Sequence, residues 1–444
     1  MTLTHITKID GKYYDLTKFN HPGGPTALWH SFGRDATVLF RSNHPFSDET
    51  TLNAILEKYE IPELLMTSFD INNRLLEKEE DVTQFRFNTP FAKDIKKGVS
   101  DYFRDQIDQK SIHNKHHNKH HNKQSILESI KATPSRWLQI GVLNVMRTLS
   151  FCQLMSGSFV GLFTYPLMTW LAGANTFHDA CHFSLSSNQR INTIASYTVP
   201  IFCSPLTWYH HHNIGHHAYT NVPLKDPDLY HNPIFKRTIE TTEYKKIYRY
   251  QHLTLIIEWV LSYIGLVIQP NIHVFCNGIY HDIIPAYYNN DAFFIETLHI
   301  LLGITMSLLP FCVMDDVYKA TLFSIFPYIL HSLLFMLNSQ ITHIHTPCMV
   351  KDVHKGIDWY KHQVITATNH SIGSEIAFIF SGGLNYQIEH HLFPNINHCH
   401  LPKIQPIIKN ICKKHKVHYK EFNNYYDAFL SYYSHIKLMS LKNE

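Results

Sequence analysis

Apolar residues are gathered into blocks in this chain of 444 residues, and the long blocks all lie beyond Arg136. They cover residues 137–174, 191–206, 253–269, 293–314 and 319–338. A bilayer core about 30 Å thick takes about 20 helical residues per crossing, so the last two blocks predict a membrane hairpin turned by Asp315 and Asp316. The block over 137–174 is too long for one crossing and short for two, which predicts a tight hairpin near Ser156, Gly157 and Ser158, or a partly re-entrant path. Lys236, Arg237, Lys245, Lys246 and Arg249 put the loop before residue 253 on the cytosolic side. Residues 136–444 are therefore expected to form one membrane-embedded, mostly α-helical domain. The N-terminal part reads differently. In residues 1–75, short β-prone runs flank the turn Asp10-Gly11-Lys12 and precede the sharp turn His21-Pro22-Gly23-Gly24, the pattern of a small polar α+β domain. Residues 76–135 are polar and carry a period-four His-Asn-Lys-His repeat from His113 to Lys123, which cannot bury a core and predicts a disordered linker.

Hydrophobic residues make up 44% of the chain and charged residues 17%, with a formal net charge of +3, which excludes a disordered or strongly acidic protein. Lys and Arg together number 39 against 36 Asp and Glu, so no nucleic-acid partner is expected. The eight cysteines stand singly, with no C-x-x-C pair, so neither a disulfide framework nor a thiolate zinc site is indicated and a cytosol-facing chain is expected. Histidine is the outlier, at 34 residues, of which the linker repeat holds only five. Imidazole in such numbers in an apolar chain points to metal.

Four histidine clusters sit at or beyond the ends of apolar blocks. His178 and His182 are spaced i, i+4, which stacks both rings on one face of a helix. In the run His210 to His217, His212 and His216 are one α-turn apart, whereas His217 is turned about 100° from His216, so adjacent rings can serve two different ions. Asp226-Pro227-Asp228 nearby is either a source of carboxylates behind those rings or a simple turn. Gln387-Ile388-Glu389-His390-His391 repeats the adjacent pair with an amide one turn back, and His343 and His345 close the last apolar block. Imidazoles without thiolates suit Fe, Cu, Ni or Zn, and eight are too many for one ion, so a dinuclear site is the economical reading. His21, on its Pro-Gly-Gly turn, and His44, in Ser42-Asn43-His44-Pro45, are placed to be the two axial ligands of a haem. A haem donor joined to a multi-histidine membrane site favours redox chemistry with iron and O2 over hydrolytic zinc.

With these motifs the chain resembles the cytochrome b5-fused front-end fatty-acyl desaturases over nearly its whole length. The marks are D-G-K-Y-Y-D-L-T-K-F-N-H-P-G-G from Asp10, followed by G-R-D-A-T and N-H-P; then H-D-A-C-H from His178, H-N-I-G-H-H-A-Y-T-N from His212 and Q-I-E-H-H-L-F-P from Gln387. The box from His212 to His217 with its trailing Ala-Tyr-Thr-Asn is most similar to the Delta-5 branch. The resemblance implies a helical integral-membrane fold with a small α+β cytochrome b5-like domain over residues 1–75, shortened at its N-terminus relative to the family. It implies two iron ions held by His178, His182, His212, His216, His217, His343, His390 and His391, and a haem b between His21 and His44. Gln387 stands where related desaturases use another histidine, and is the expected catalytic residue.

The implied enzyme is a multi-pass protein of the endoplasmic reticulum membrane with haem and di-iron centre facing the cytosol. It would take electrons from NADH-cytochrome b5 reductase and, with O2, remove two adjacent hydrogens from a fatty-acyl chain on CoA or phospholipid, leaving a cis double bond at carbon 5. Because both centres must share one side, an even number of crossings separates His217 from His343, which puts residues 253–269 in the membrane interface. From the sequence, a b5-fused fatty-acyl hydroxylase, a non-enzymatic haem protein, and desaturation at Delta-6 or Delta-8 remain as alternatives.

Overall fold

The structure is a computed structural model, and it describes residues 6–62, 85–115, 125–199, 203–262, 290–350 and 356–442. In the N-terminal unit, β1 (Ile6–Ile9) and β2 (Lys12–Asp15) form a hairpin whose turn residues, Asp10 and Gly11, have φ of 50° and 80°. Asp-Gly is a favoured pair for such a turn because glycine, and to a lesser degree aspartate, tolerates the left-handed region. β2 pairs antiparallel with β3 (Glu60–Ile61), placing Tyr13 opposite Ile61. Helices α1 (Pro25–Trp29), α2 (Thr37–Asn43) and α3 (Glu49–Leu56) accompany this sheet, with a core of Ile9, Tyr14, Leu16, Ala36 and Leu56.

Residues 90–115 correct the linker reading. They form α4 (Pro90–Lys115), whose Phe91, Ile95, Val99, Phe103 and Ile107 are buried at intervals of four. The first four of these pack into a core with Trp359, Leu392, Phe393, Ile404 and Ile408, beside the third histidine box. One apolar residue per turn is enough to bury a helix on one face while its average composition stays polar, which is why the segment read as solvated. Past Lys115 the His-Asn-Lys repeat lies outside the described residues.

The block over 137–174 folds as the expected hairpin: α5 (Pro134–Met155) and α6 (Phe159–Ala172) are joined at Ser156, Gly157 and Ser158. The second hairpin is α7 (Asn290–Val313) and α8 (Val317–Gln340), with Asp316 accepting from the Tyr318 and Lys319 amides to start α8. Among the described residues, α8 is the one helix long and apolar enough to cross a membrane by itself. The other hairpin helices nevertheless turn large apolar side chains outward, among them Leu138, Val145, Leu149, Phe159, Val160 and Leu301, a surface that belongs against lipid. Of the block over 253–269, residues 255–262 are helical and residues 263–269 lie outside the described residues, so its expected interfacial placement does too. Trp170, Phe177, Trp208, Met336 and Tyr432 share a core that joins the hairpins to the C-terminal helix. Toward the C-terminus lie α9 (Gln387–Leu392), α10 (Leu401–Lys414) and α11 (Tyr425–Met439), and β4 (Asn369–His370) pairs parallel with β5 (Glu421–Phe422).

Candidate metal centre

The first two histidine boxes sit on distorted helix. After α6 the backbone continues as π-helix over Gly173–Phe177 before the turn His178–Cys181, and a second π-helix spans Tyr209–His216. There the His217 amide donates to the His212 carbonyl at 2.8 Å, a step of five residues. Such widened turns recur at functional sites, and this one changes the pairing read from the sequence. His212 shares its metal-facing group with His217, five residues on, and not with His216, four residues on.

Five imidazoles, of His178, His182, His212, His217 and His390, bring ring nitrogens within 4.8 Å of one another, and His216, His343 and His391 form a second group by the same measure. All eight are buried. His216 and His217 fall in different groups, as their offset around a helix requires, and so do His390 and His391. The two groups adjoin, since the rings of His217 and His391 stack with centroids 4.1 Å apart. Convergence leaves nitrogens that the protein does not satisfy. His212 Nε2 lies 2.9 Å from His178 Nε2 and 3.1 Å from His217 Nε2, and one proton cannot bridge all three. Among the described residues the Nε2 atoms of His182, His390 and His391 have no hydrogen-bond partner, a condition that costs about 1–3 kcal/mol for each buried group. Two cations shared among these eight donors would satisfy them. Gln387 Nε2 is 2.8 Å from His343 Nε2, which places the amide beside the second group. His345 turns away, with its Nε2 2.7 Å from the Ile341 carbonyl.

Residues 155–423 match the family model described as fatty acid desaturase, and residues 6–65 match the cytochrome b5-like heme/steroid binding domain. The chain belongs to the fatty acid desaturase family. This desaturase is 28% identical, over 96% of its length, to a protein described as probable Delta(5) fatty acid desaturase C of Dictyostelium discoideum, of which it covers 89%. It is 27% identical over 98% of its length to an acyl-lipid (8-3)-desaturase of Mortierella alpina, covering 93% of it. It is 28% identical over 61% of its length to an sn-1 linoleoyl-lipid 6-desaturase of Arthrospira platensis, covering 75% of that relative. The protein is thus a front-end fatty acid desaturase, an oxidoreductase of mostly helical integral-membrane fold with a fused b5 domain.

In the desaturase four of the clustered rings are held from behind. His216 Nδ1 is 3.1 Å from Asp226 Oδ1, and Asp226 also accepts from the amides of Asn221 at 2.6 Å and Asp228 at 2.9 Å. The Asp-Pro-Asp segment is therefore both turn and carboxylate support. Burial opposes a charge on His216, but Asp228 and Asp226 outweigh it and raise its pKa to about 9. The same field makes its ring a stronger donor to a cation. Asp228 also meets His211 at 2.8 Å and His231 at 3.2 Å. His391 Nδ1 is 3.0 Å from Gln363 Oε1, and His343 Nδ1 is 3.1 Å from the Thr366 carbonyl. His390 Nδ1 meets His398 Nε2 at 3.0 Å, while His398 Nδ1 lies 2.9 Å from Asp179 Oδ1. With protons assigned from these partners, His390 carries its hydrogen on Nδ1 and presents Nε2 to the cluster. Asp179 in turn pairs with the buried Arg136 at 3.0 Å. Sequence reasoning missed Asp179, His398, Gln363, His211 and Arg136; Asp179 and His211, inside the first and second boxes, carried a local signal.

The haem pair also comes together. His21 and His44 face each other with ring centroids 5.9 Å apart and planes at 83°. His44 Nδ1 is 2.8 Å from the Phe40 carbonyl, which leaves its Nε2 for a metal between the rings, whereas His21 Nδ1 accepts from the Gly23 amide at 3.0 Å, a contact this ring gives up on presenting Nε2 to that metal. Burial, with His44 alongside, pushes His21 down to about 4, and burial also lowers His44, so both rings are neutral as ligation requires. The residues present fit the haem of a b5 domain.

Proposed function

We propose that the eight clustered histidines hold two iron ions, that His21 and His44 hold haem b, and that the desaturase places a cis double bond at carbon 5 of a fatty-acyl chain carried on CoA or phospholipid. The observation that carries the metal reading is the division of eight buried imidazoles into groups of five and three, with nitrogens left unpartnered inside them. When bound, the irons supply the O2 chemistry needed to take hydrogen from unactivated C–H bonds, which no acid or base side chain can ionise.

The chain's own residues position the acyl group. A narrow cavity is lined in part by His178, His212, His216, His343 and Gln387. Its other lining is largely aromatic, from Trp170, Phe177, Trp208 and Phe335. His331, Phe335 and Ser339 line it at intervals of four along α8, so the cavity follows that helix for about 12 Å at about 1.5 Å per residue. An extended acyl chain lying there meets an apolar wall that excludes water and fixes which carbon stands at the histidines. Gln387, with an amide hydrogen directed at His343 and its Oε1 unpartnered among the described residues, is suited to hold a water or oxygen ligand beside the second group.

Carbon 5 is supported by the His212 to Asn221 motif and by the Delta(5) name of a relative aligned over 96% of the chain. Electrons are taken to enter from an NADH-cytochrome b5 reductase at the cytosolic face of the endoplasmic reticulum. Yeast expressing the desaturase and fed dihomo-gamma-linolenic acid should accumulate arachidonic acid by gas chromatography. Conversion of linoleic acid to gamma-linolenic acid in its place would move the assignment to carbon 6, and oxygenated products would replace desaturation by hydroxylation.

A further inference from the structure

We propose that the b5 domain is docked on the catalytic domain with its haem-ligand loop against the loop that follows the third histidine box, and that the Phe46–Phe393 contact is where electrons cross between them. The inference rests on the haem and di-iron reading above. Phe46 is two residues past His44, and Phe393 is two residues past His391. Their rings stack with centroids 5.4 Å apart and planes at 15°. Beside them Asn395 Nδ2 donates to the Asn43 carbonyl at 3.3 Å, which joins the residue before His44 to the same loop. Phe393 is fully buried, and Val38 of α2 lies in the core that contains it. A second anchor stands apart from the first: His30, buried after α1, packs its ring 4.4 Å from that of Tyr209, the first residue of the second-box π-helix. Two separated anchors fix the orientation of the domain as well as its proximity.

The docked loop is itself tied to the metal-facing boxes. Lys131 Nζ donates to the carbonyls of Phe183, at 2.8 Å, and Asn395, at 3.3 Å, linking the residue after His182 to the docking loop. Between His44 and His391 the path is covalent through Pro45 and Phe46, crosses one ring–ring contact, and is covalent again through Phe393 and Leu392. In each step one electron leaves a ferrous haem, which becomes ferric, and one ferric ion of the pair becomes ferrous; no bond forms or breaks at the phenylalanines. Two such steps are needed per double bond, the electrons coming from the NADH-dependent reductase. Held in place, the donor never has to diffuse to its acceptor, and disrupting the contact returns it to a tethered search.

The test uses the full-length protein in nanodiscs, loaded with haem and iron. The haem is reduced anaerobically with NADH and soluble cytochrome b5 reductase, then mixed with O2 and acyl substrate while its reoxidation is followed by stopped-flow absorbance. Phe46→Ala is expected to slow reoxidation by about tenfold or more, with the oxidised haem spectrum, the rate of haem reduction and the bound iron unchanged. Phe46→Tyr, which keeps the ring, should restore most of the rate. Phe393→Leu approaches the same contact from the other side and leaves the b5 domain untouched, so it should reproduce the slowing even if Phe46→Ala disturbs haem binding. Reoxidation within about twofold of wild type in both Phe46→Ala and Phe393→Leu would overturn the proposal. Absence of haem, iron or substrate-dependent reoxidation in the wild-type protein would instead remove the reading beneath it.

Discussion

Arg136→Met should destabilise the desaturase severely, and adding Asp179→Asn should reverse most of the loss. Arg136 is 2% exposed and Asp179 is fully buried. The guanidinium donates to Asp179 Oδ2 at 3.0 Å, Asn175 Oδ1 at 2.8 Å and Gln139 Oε1 at 3.0 Å. Removing one partner of a buried pair leaves a charge out of water, at a cost of about 3–5 kcal/mol. Here Asn397 still donates to Asp179 at 2.9 Å and His398 still lies beside it, so the lower end, about 3 kcal/mol, is expected. With Asp179→Asn added, no charge is stranded and the residual loss is that of ordinary hydrogen bonds, about 1 kcal/mol. Adding the second substitution thus recovers about 2 kcal/mol of the loss. Thermal unfolding of detergent-solubilised protein, followed by tryptophan fluorescence, reads this out. At about 2 °C per kcal/mol for a large domain, Arg136→Met should lower the midpoint by about 6 °C and the double variant by about 2 °C. A single variant indistinguishable from wild type, or a double variant no more stable than the single, would refute the argument from charge burial.

His217→Ala should abolish desaturation and reduce bound iron while the haem spectrum is intact, and normal turnover at matched expression would remove His217 from the ligand set. His21→Ala should eliminate the b5-type absorbance and suppress activity even with free cytochrome b5 present; an unchanged spectrum would assign the haem elsewhere. Gln387→Ala should keep much of the iron and lose most turnover, with incomplete rescue by Gln387→His, whereas full activity of the Ala variant would make Gln387 a space-filler. Phe103→Ala removes a buried ring of α4 and should cost about 3–5 kcal/mol, read as a drop in thermal midpoint; no drop would return residues 90–115 to the status of a linker.

What the amino-acid sequence determined by itself is what neighbours along the chain decide. The hairpin at Ser156 to Ser158, the Asp316 start of α8 and the Asp10-Gly11 turn were legible because turn and cap chemistry acts over three or four residues. The division of His216 from His217, and of His390 from His391, was legible for the same reason, since adjacent side chains diverge on any helix. Tertiary structure decided the rest. Whether His212 pairs with His216 or His217 depends on a π-turn whose signature is one hydrogen bond of five residues, and no residue type in Tyr209–His216 announces it. The burial of α4 depends on Trp359, Phe393 and Ile408, which lie far along the chain from its stripe of one apolar residue per turn. The support behind His390 runs through His398 to Asp179 and Arg136, and Asn397 reaches Asp179 across 218 residues. Hydrogen bonds and ion pairs act over about 3 Å, so which distant donors and acceptors are matched is settled only when packing closes that distance.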